Sequence, residues 1–195
     1  MKLIAQFVNF DESQRHKPLG TIILSYFYDM IFQTRRLYIR EMLKSDLGSF
    51  HKMQNDQAVM RYVGGKTFTL EENVRDLENI IAFYSKPRND FWIWAIVNRE
   101  DDRFLGTVAL VRNEKTEYEI GYRLLMKEWG NGYGKEVVNG LIYHAFENMH
   151  LKEIVAYVDK ANASSVRILD STFRFIREFY NEEENCIDRY YRLSN

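Results

Sequence analysis

Cysteine is almost missing from this 195-residue chain, where Cys186 stands alone. That excludes an intramolecular disulfide and any multi-cysteine metal site. Histidine is nearly as scarce. His16, His51, His144 and His150 show no zinc-ligand spacing, and no metal is expected. Neither sign of charge dominates: 27 Lys+Arg against 28 Asp+Glu leave a formal net charge of -1. No long-range field therefore draws the chain to a nucleic-acid backbone, and no nucleic-acid partner is expected. Long apolar runs are also lacking. Residues 21–32, TIILSYFYDMIF, fall short of the ~18 apolar residues of a membrane span and include Asp29. They are no secretory signal either, because the start has no basic cluster and no small-residue cleavage site follows. The expectation is a cytoplasmic protein without a membrane partner.

What remains is an ordinary globular composition, 46% hydrophobic and 15% aromatic, in a chain long enough to bury a core. Residues 1–33 read as an N-terminal extension of unassigned role, and its apolar part is a candidate homodimer contact. Residues 34–195 read as one domain. Within it, 36–42 alternates as a strand, and Ser45 and Asp46 open a helix to about Gln54. A short helix or turn over 59–62 ends at Gly64-Gly65. Thr69 and Glu72 form a capping-box pattern ahead of ENVRDLENIIAFYSK. Strands follow at 91–98, 104–113 and 116–125, then a helix over 135–149, a strand at 153–159, a helix over 163–173 and two closing strands. The fold class is α+β: a mixed, mostly antiparallel central sheet flanked by helices, with a parallel crossover through the 135–149 helix.

The stretch that carries chemistry is YRLLMKEWGNGYGKE, residues 122–136. Gly130, Gly132 and Gly134 alternate in the turn between a strand and a helix. Glycine permits positive φ and close approach of a ligand to the backbone. The following helix start offers unpaired N–H groups and the positive end of its dipole. Together they suit a pyrophosphate. The spacing fits neither G-x-G-x-x-G nor G-x-x-x-x-G-K-[ST]. A tight structural turn and a glycine-loop nucleotide binder of another fold are the alternatives.

W-G-N-G-Y-G resembles the Q/R-x-x-G-x-G/A acetyl-CoA loop of the GNAT superfamily, and more closely its RimJ/RimL-like branch, where Trp commonly takes the first position. TRRLYIREMLKSDL, AVMRYVGG, FWIWAIV…FLGTVAL, EYEIGYRLL and NASSVRIL are similar to further segments of that branch in the same order. The resemblance runs from about Thr34 to the C-terminus. It implies a GNAT-type acyl-CoA N-acyltransferase fold and transfer of acetyl from acetyl-CoA to a primary amine. A protein N-terminal α-amine leads as acceptor, with a polyamine or amino-sugar antibiotic as the alternative. A non-catalytic CoA-binding module is a further alternative.

The resemblance also assigns roles. The Leu124 backbone would meet the thioester carbonyl. Amides of Trp129, Gly130, Asn131, Gly132, Tyr133, Gly134 and Lys135 would hold the pyrophosphate, and Asn162 would touch the pantetheine arm. Ser165 is the candidate donor to the leaving thiolate, with Tyr157 behind it. Strand position, apart from the resemblance, makes Glu119, which shares a face with Glu117, the candidate base acting through water, and Glu178 the second. The run Glu182-Glu183-Glu184 reads as a solvated turn that could also attract a cation. Trp92 and Trp94 read as core. Three positions depart from the branch: Met126 replaces a proline, LDSTFRF lacks the customary Gly-Phe, and Leu169 stands where many relatives carry a tyrosine acid. Any acid must therefore come from elsewhere.

Overall fold

The computed structural model describes residues 30–195. Most of the 1–33 extension, and with it most of the apolar part proposed as a dimer contact, lies outside the described residues. Its last four residues, Met30–Gln33, form strand β1 and pair antiparallel with β2 (Leu37–Glu41). A 3₁₀ turn leads into α1 (Leu47–Gln54), followed by α2 (Gln57–Met60) and α3 (Leu70–Tyr84). The Thr69 side chain accepts from the Glu72 N–H, and the Glu72 carboxylate accepts from the Thr69 N–H. That reciprocal cap fixes the start of α3 where the sequence pattern placed it.

Strands β3 (Phe91–Asn98), β4 (Phe104–Arg112) and β5 (Tyr118–Leu124) form a meander. Helix α4 (Tyr133–Tyr143) crosses to β6 (Glu153–Asp159), α5 (Ala163–Asp170) follows, and β7 (Arg174–Asn181) and β8 (Cys186–Ser194) close the chain. The eight strands order as β1-β2-β3-β4-β5-β6-β8-β7. Pairing is antiparallel except between β5 and β6. This is the mixed, mostly antiparallel sheet expected.

The helices depart from the sequence reading at several ends, and α2 lies two residues ahead of the expected 59–62. Helix α4 starts two residues earlier, at Tyr133, because Gly132 takes the left-handed conformation and acts as its N-cap. It ends in a π turn over His144–Asn148 instead of running regularly to Met149. Helix α5 stops at Asp170, short of the expected 173.

Strands β3 and β4 are buried on both faces, which is why FWIWAIVN and FLGTVALV read as nearly continuous apolar runs. One core packs Ile96, Leu110, Ile120 and Leu124 under Val137, Val138 and Leu141 of α4 and Leu169 of α5. The other packs Ala95 and Val97 against Phe50, Met53, Leu77 and Ile80 from α1 and α3. Helices α1 and α3 cover β3 and β4 on that second face. Gly140 lets β1 lie close on α4, where an added Cβ would come 2.7 Å from Thr34 Cγ2.

Candidate active site

The sheet opens at β5. Hydrogen bonds from Asn113 N to Glu117 O (2.9 Å) and from Leu125 N to Leu105 O (2.9 Å) bracket the β4–β5 hairpin. Antiparallel alternation therefore commits the main chain of the odd-numbered β5 residues to β4. The N–H and C=O groups of Ile120, Tyr122 and Leu124 turn the other way, toward β6. Yet β6 registers with β5 at one rung, Glu119 opposite Val155. Beyond it the parallel strands diverge, so Tyr122 and Leu124 present backbone groups to a cleft with no strand opposite among the described residues. The Leu124 carbonyl is taken by the Trp129 indole N–H at 3.0 Å. Its N–H is the group left for a ligand, which narrows the role inferred for this backbone.

The glycine turn sits at the mouth of this cleft. Gly130 and Gly132 adopt φ of 78° and 79°. Gly134 does not; its need is space, since a Cβ there would lie 3.1 Å from Tyr122 Cε2 and 3.2 Å from Ile168 Cδ1. No side chain caps α4, and its first helical bond runs from Glu136 N to Gly132 O. The N–H groups of Tyr133, Gly134 and Lys135 are thus left for an anion. Asn131 braces the turn through Nδ2 to Glu128 O (3.2 Å), and the Lys135 side chain is exposed.

A clasp absent from the sequence reading steadies this turn. Glu136 accepts from Thr34 Oγ1 (2.6 Å), Arg36 N (2.8 Å) and Arg36 Nε (2.7 Å). Arg36 also donates to Asn131 O (2.9 Å) and lies 4.5 Å from the centre of the Tyr133 ring. Burial would raise the Glu136 pKa, but the bonds from Thr34 and Arg36 hold it below the usual carboxylate range. The negative charge beside the cradle is thereby neutralised internally.

Side-chain alternation on β5 separates two chemistries. Toward α4 and α5 point Ile120, Tyr122 and Leu124. The Tyr122 hydroxyl lies 3.0 Å from Ser165 Oγ, and its ring packs on Gly134 and Ile168. Burial raises the Tyr122 pKa, so the phenol stays protonated at neutral pH. Asn162 is the N-cap of α5, its Oδ1 accepting from Ser165 N at 3.2 Å. Only its Nδ2 remains for a ligand. Leu169 is buried in the core and can donate nothing.

Toward the opposite face point Glu117, Glu119 and Arg123. Glu119 has one close partner, Asn113 Nδ2 at 3.2 Å, and burial pushes its pKa up. Glu117 is saturated by contrast. Burial acts to raise it, but hydrogen bonds from Tyr190 (2.7 Å) and Tyr157 (2.9 Å), helped by Arg192, hold it low. Arg123 donates to Gln54 Oε1 at 2.7 Å, and burial lowers its pKa. Gln54 in turn donates to Asn73 and Asp76, both at 2.9 Å.

Other candidates fall elsewhere. Glu178 is held below its usual pKa by Lys160 (2.7 Å) and Arg189 (2.9 Å) on an exposed strand. It is an ion-paired surface group. Tyr157, whose pKa burial and Glu117 raise, lies on the Glu117 face, across the sheet from Ser165. Glu182, Glu183 and Glu184 occupy the exposed β7–β8 turn. Trp94 is buried. Trp92 lines a cavity of about 380 Å³ with Tyr84, His144 and Met149, away from the cleft. Burial and Asp188 raise the Cys186 thiol to about 11, so it is not a ready nucleophile. Among the described residues no cluster of metal-ligating side chains and no helix long and apolar enough to cross a membrane occurs.

The sequence reading missed Tyr122, Arg36 and Glu136. For Tyr122 the signal was present: strand alternation sets it on the face of Ile120 and Leu124, beside the glycine turn.

Residues 36–172 match the family model described as an acetyltransferase (GNAT) domain. The uncharacterized N-acetyltransferase p20 of Bacillus licheniformis is 30% identical over 165 residues, covering 80% of this chain and 91% of the relative. A RimL ribosomal alpha-N-protein acetyltransferase solved with coenzyme A superposes with a TM-score of 0.73 at 15% identity, covering 85% of this chain and 97% of that one. A spermidine N-acetyltransferase SpeG chimera from Vibrio cholerae and hSSAT gives 0.66 at 16% identity, covering 82% and 95%. With the family model matched over most of its length, this chain belongs to the GNAT acetyltransferases, enzymes that use acetyl-CoA.

Proposed function

We propose that this protein transfers the acetyl group of acetyl-CoA directly to the primary amine of a cationic acceptor in the cleft between β5 and β6. The observation that supports it most is the single β5–β6 rung. It leaves Tyr122 and Leu124 backbone groups facing a gap that leads to the uncapped start of α4. The amides from Trp129 to Lys135 fit the pyrophosphate, and the Leu124 N–H fits a carbonyl oxygen along the pantetheine arm or at the thioester. Asn162 Nδ2 is placed for the same arm.

On the opposite face Glu119, with its raised pKa, takes the proton of the attacking ammonium. The amine nitrogen bonds to the thioester carbon and the carbon–sulfur bond breaks. The nitrogen then releases its second proton as the amide forms; Ser165, hydrogen-bonded to the protonated Tyr122, gives its own proton to the departing sulfur and regains one from that release. Proton acceptance and donation thus lie on opposite faces of β5.

The RimL likeness supports a protein N-terminal α-amine as acceptor, and the SpeG likeness supports a polyamine. An amino-sugar antibiotic presents the same reacting group. The test is calorimetric binding of acetyl-CoA, with thiol release followed on adding each amine class. Binding with release establishes transfer. Binding without release from any amine leaves a CoA-binding module. No binding overturns the proposal.

A further inference from the structure

Lys115 behaves unlike a surface lysine. It sits in the β4–β5 turn, where its N–H bonds to Asn113 Oδ1 (3.0 Å) and the next residue, Thr116, takes φ of 63°. A β-branched residue rarely enters that region, at a cost of about 1–2 kcal/mol. From this turn the side chain reaches over β5 to β6. Its Nζ donates to the Tyr157 hydroxyl at 3.0 Å and lies 4.6 Å from the centre of the Tyr157 ring and 5.8 Å from that of Phe179. The two rings meet edge to face with centroids 6.0 Å apart. Tyr157 is held in place from below by the stacked Tyr190 ring at 4.9 Å and by its bond to Glu117.

Among the described residues, the helices that chiefly contact β5, β6 and β7 are α4 and α5, and α5 carries Ser165 on the other face. The carboxylate that feels the Lys115 charge is Glu119, with Glu117 and Asp188 also near it. Two aromatic faces beside carboxylates form a surface that attracts an ammonium group on an aliphatic stem. Lys115 supplies such a group from within the chain.

We propose that the wall of Tyr157 and Phe179 beside Glu117 and Glu119 is the acceptor's ammonium subsite. Its substrate class is an aliphatic primary amine on a flexible methylene chain, as in a diamine or polyamine. Lys115 holds the subsite as a tethered competitor until that acceptor displaces it. The proposal rests on the transfer reading above and deepens it. A peptide α-ammonium sits on a branched carbon that also bears a carbonyl, so it reproduces the Lys115 pose poorly. A diamine reproduces it, its ammonium taking the place of the Lys115 Nζ beside Tyr157.

The test is a calorimetric titration of cadaverine, whose ammonium and methylene chain copy a lysine side chain, into the unaltered protein and K115A. A seryl peptide amide serves as the comparison ligand. K115A removes an exposed turn side chain and binds cadaverine about two- to fivefold more tightly, the worth of an exposed cation–aromatic contact. The peptide shows no such gain. Adding Y157L, or F179L on the edge strand should the first fail to fold, abolishes the gain. Equal cadaverine affinity with and without Lys115, no cadaverine binding to either protein, or a gain confined to the peptide overturns the proposal. Acetyl-CoA affinity, read on the same samples, tests the transfer reading separately.

Discussion

Replacing Glu119 with Gln removes one charge and almost no volume from the point where β5 and β6 part. The amide keeps an oxygen for Asn113 Nδ2, so the one close contact survives. Stability is therefore expected to hold. The sign of any change follows from linkage. Burial raises the folded-state pKa of Glu119. Its contribution to stability is thus full below the ordinary carboxylate pKa and is lost as pH rises through the raised value. Above that value Gln avoids an ionisation that burial disfavours, so the melting temperature of E119Q equals or exceeds that of the unaltered protein. Catalysis goes the other way. An aliphatic amine has a pKa of about 10.4, so near pH 7 only about 1 molecule in 2500 is unprotonated. A base that takes this proton in the cleft lifts that restriction, and bases of this kind contribute about 10²–10⁴-fold. The expected loss in kcat/KM near pH 7 is about 10³-fold, or about 4 kcal/mol of barrier. Because E119Q depends on amine deprotonated in solution, it recovers about tenfold per pH unit until the amine pKa is reached. Thiol release followed from acid to alkaline pH reads this directly. A near-normal rate for E119Q at neutral pH, or a deficit that stays constant with pH, would refute the assignment of Glu119 as base.

Three further outcomes concern the other side of the cleft. Tyr122→Phe loses the bond to Ser165, worth about 0.5–1.5 kcal/mol, and lowers kcat about two- to tenfold while acetyl-CoA affinity holds; single-turnover thiol release separates the two. Gly132→Ala forces a side chain into φ of 79°; thermal unfolding is expected to report a loss of about 1–2 kcal/mol, and calorimetry a weaker acetyl-CoA complex. Glu136→Gln weakens the clasp by about 1–2 kcal/mol at neutral pH, after discounting for the half-exposed Arg36. The depressed pKa of Glu136 means its contribution is present above the ordinary carboxylate pKa and lost as pH falls through the lower, folded value. The stability difference between E136Q and the unaltered protein, measured by denaturant unfolding, therefore shrinks on acidification.

Local chemistry was legible in the sequence, and distant pairing was not. Thr69 and Glu72 announce the start of α3 because a capping box is complete within four residues. The glycine turn announces a cradle because positive φ is a property of single residues. The start of α4 was misplaced because Tyr133-Gly134 is poor helix material, and the left-handed Gly132 cap outweighs that preference. Nothing in the spacing reveals that Arg36 finds Glu136 or that Tyr122 finds Ser165. Those contacts exist only once β2, α4 and α5 are stacked on the sheet. The same holds for the strand order. FIREFY and IDRYYRLS both read as strands, but that β8 inserts beside β6 and leaves β7 at the edge follows from tertiary packing.

A sheet joined across its middle by one rung is mechanically two plates. One carries β1 to β5 and the other β6, β8 and β7, with α4 as the strap between them. Whatever lies in the gap and bonds to the Leu124 amide takes the place of the missing ladder. If acetyl-CoA binds there as proposed, it is in that sense a structural member as well as a reagent. Bound at a hundred times its dissociation constant, it adds about 2.7 kcal/mol of stability by mass action alone. The amide hydrogens of Tyr122 and Leu124, which lie in a strand yet lack a strand partner, are where that bracing registers first, exchanging quickly in the free protein and slowly once the plates are joined.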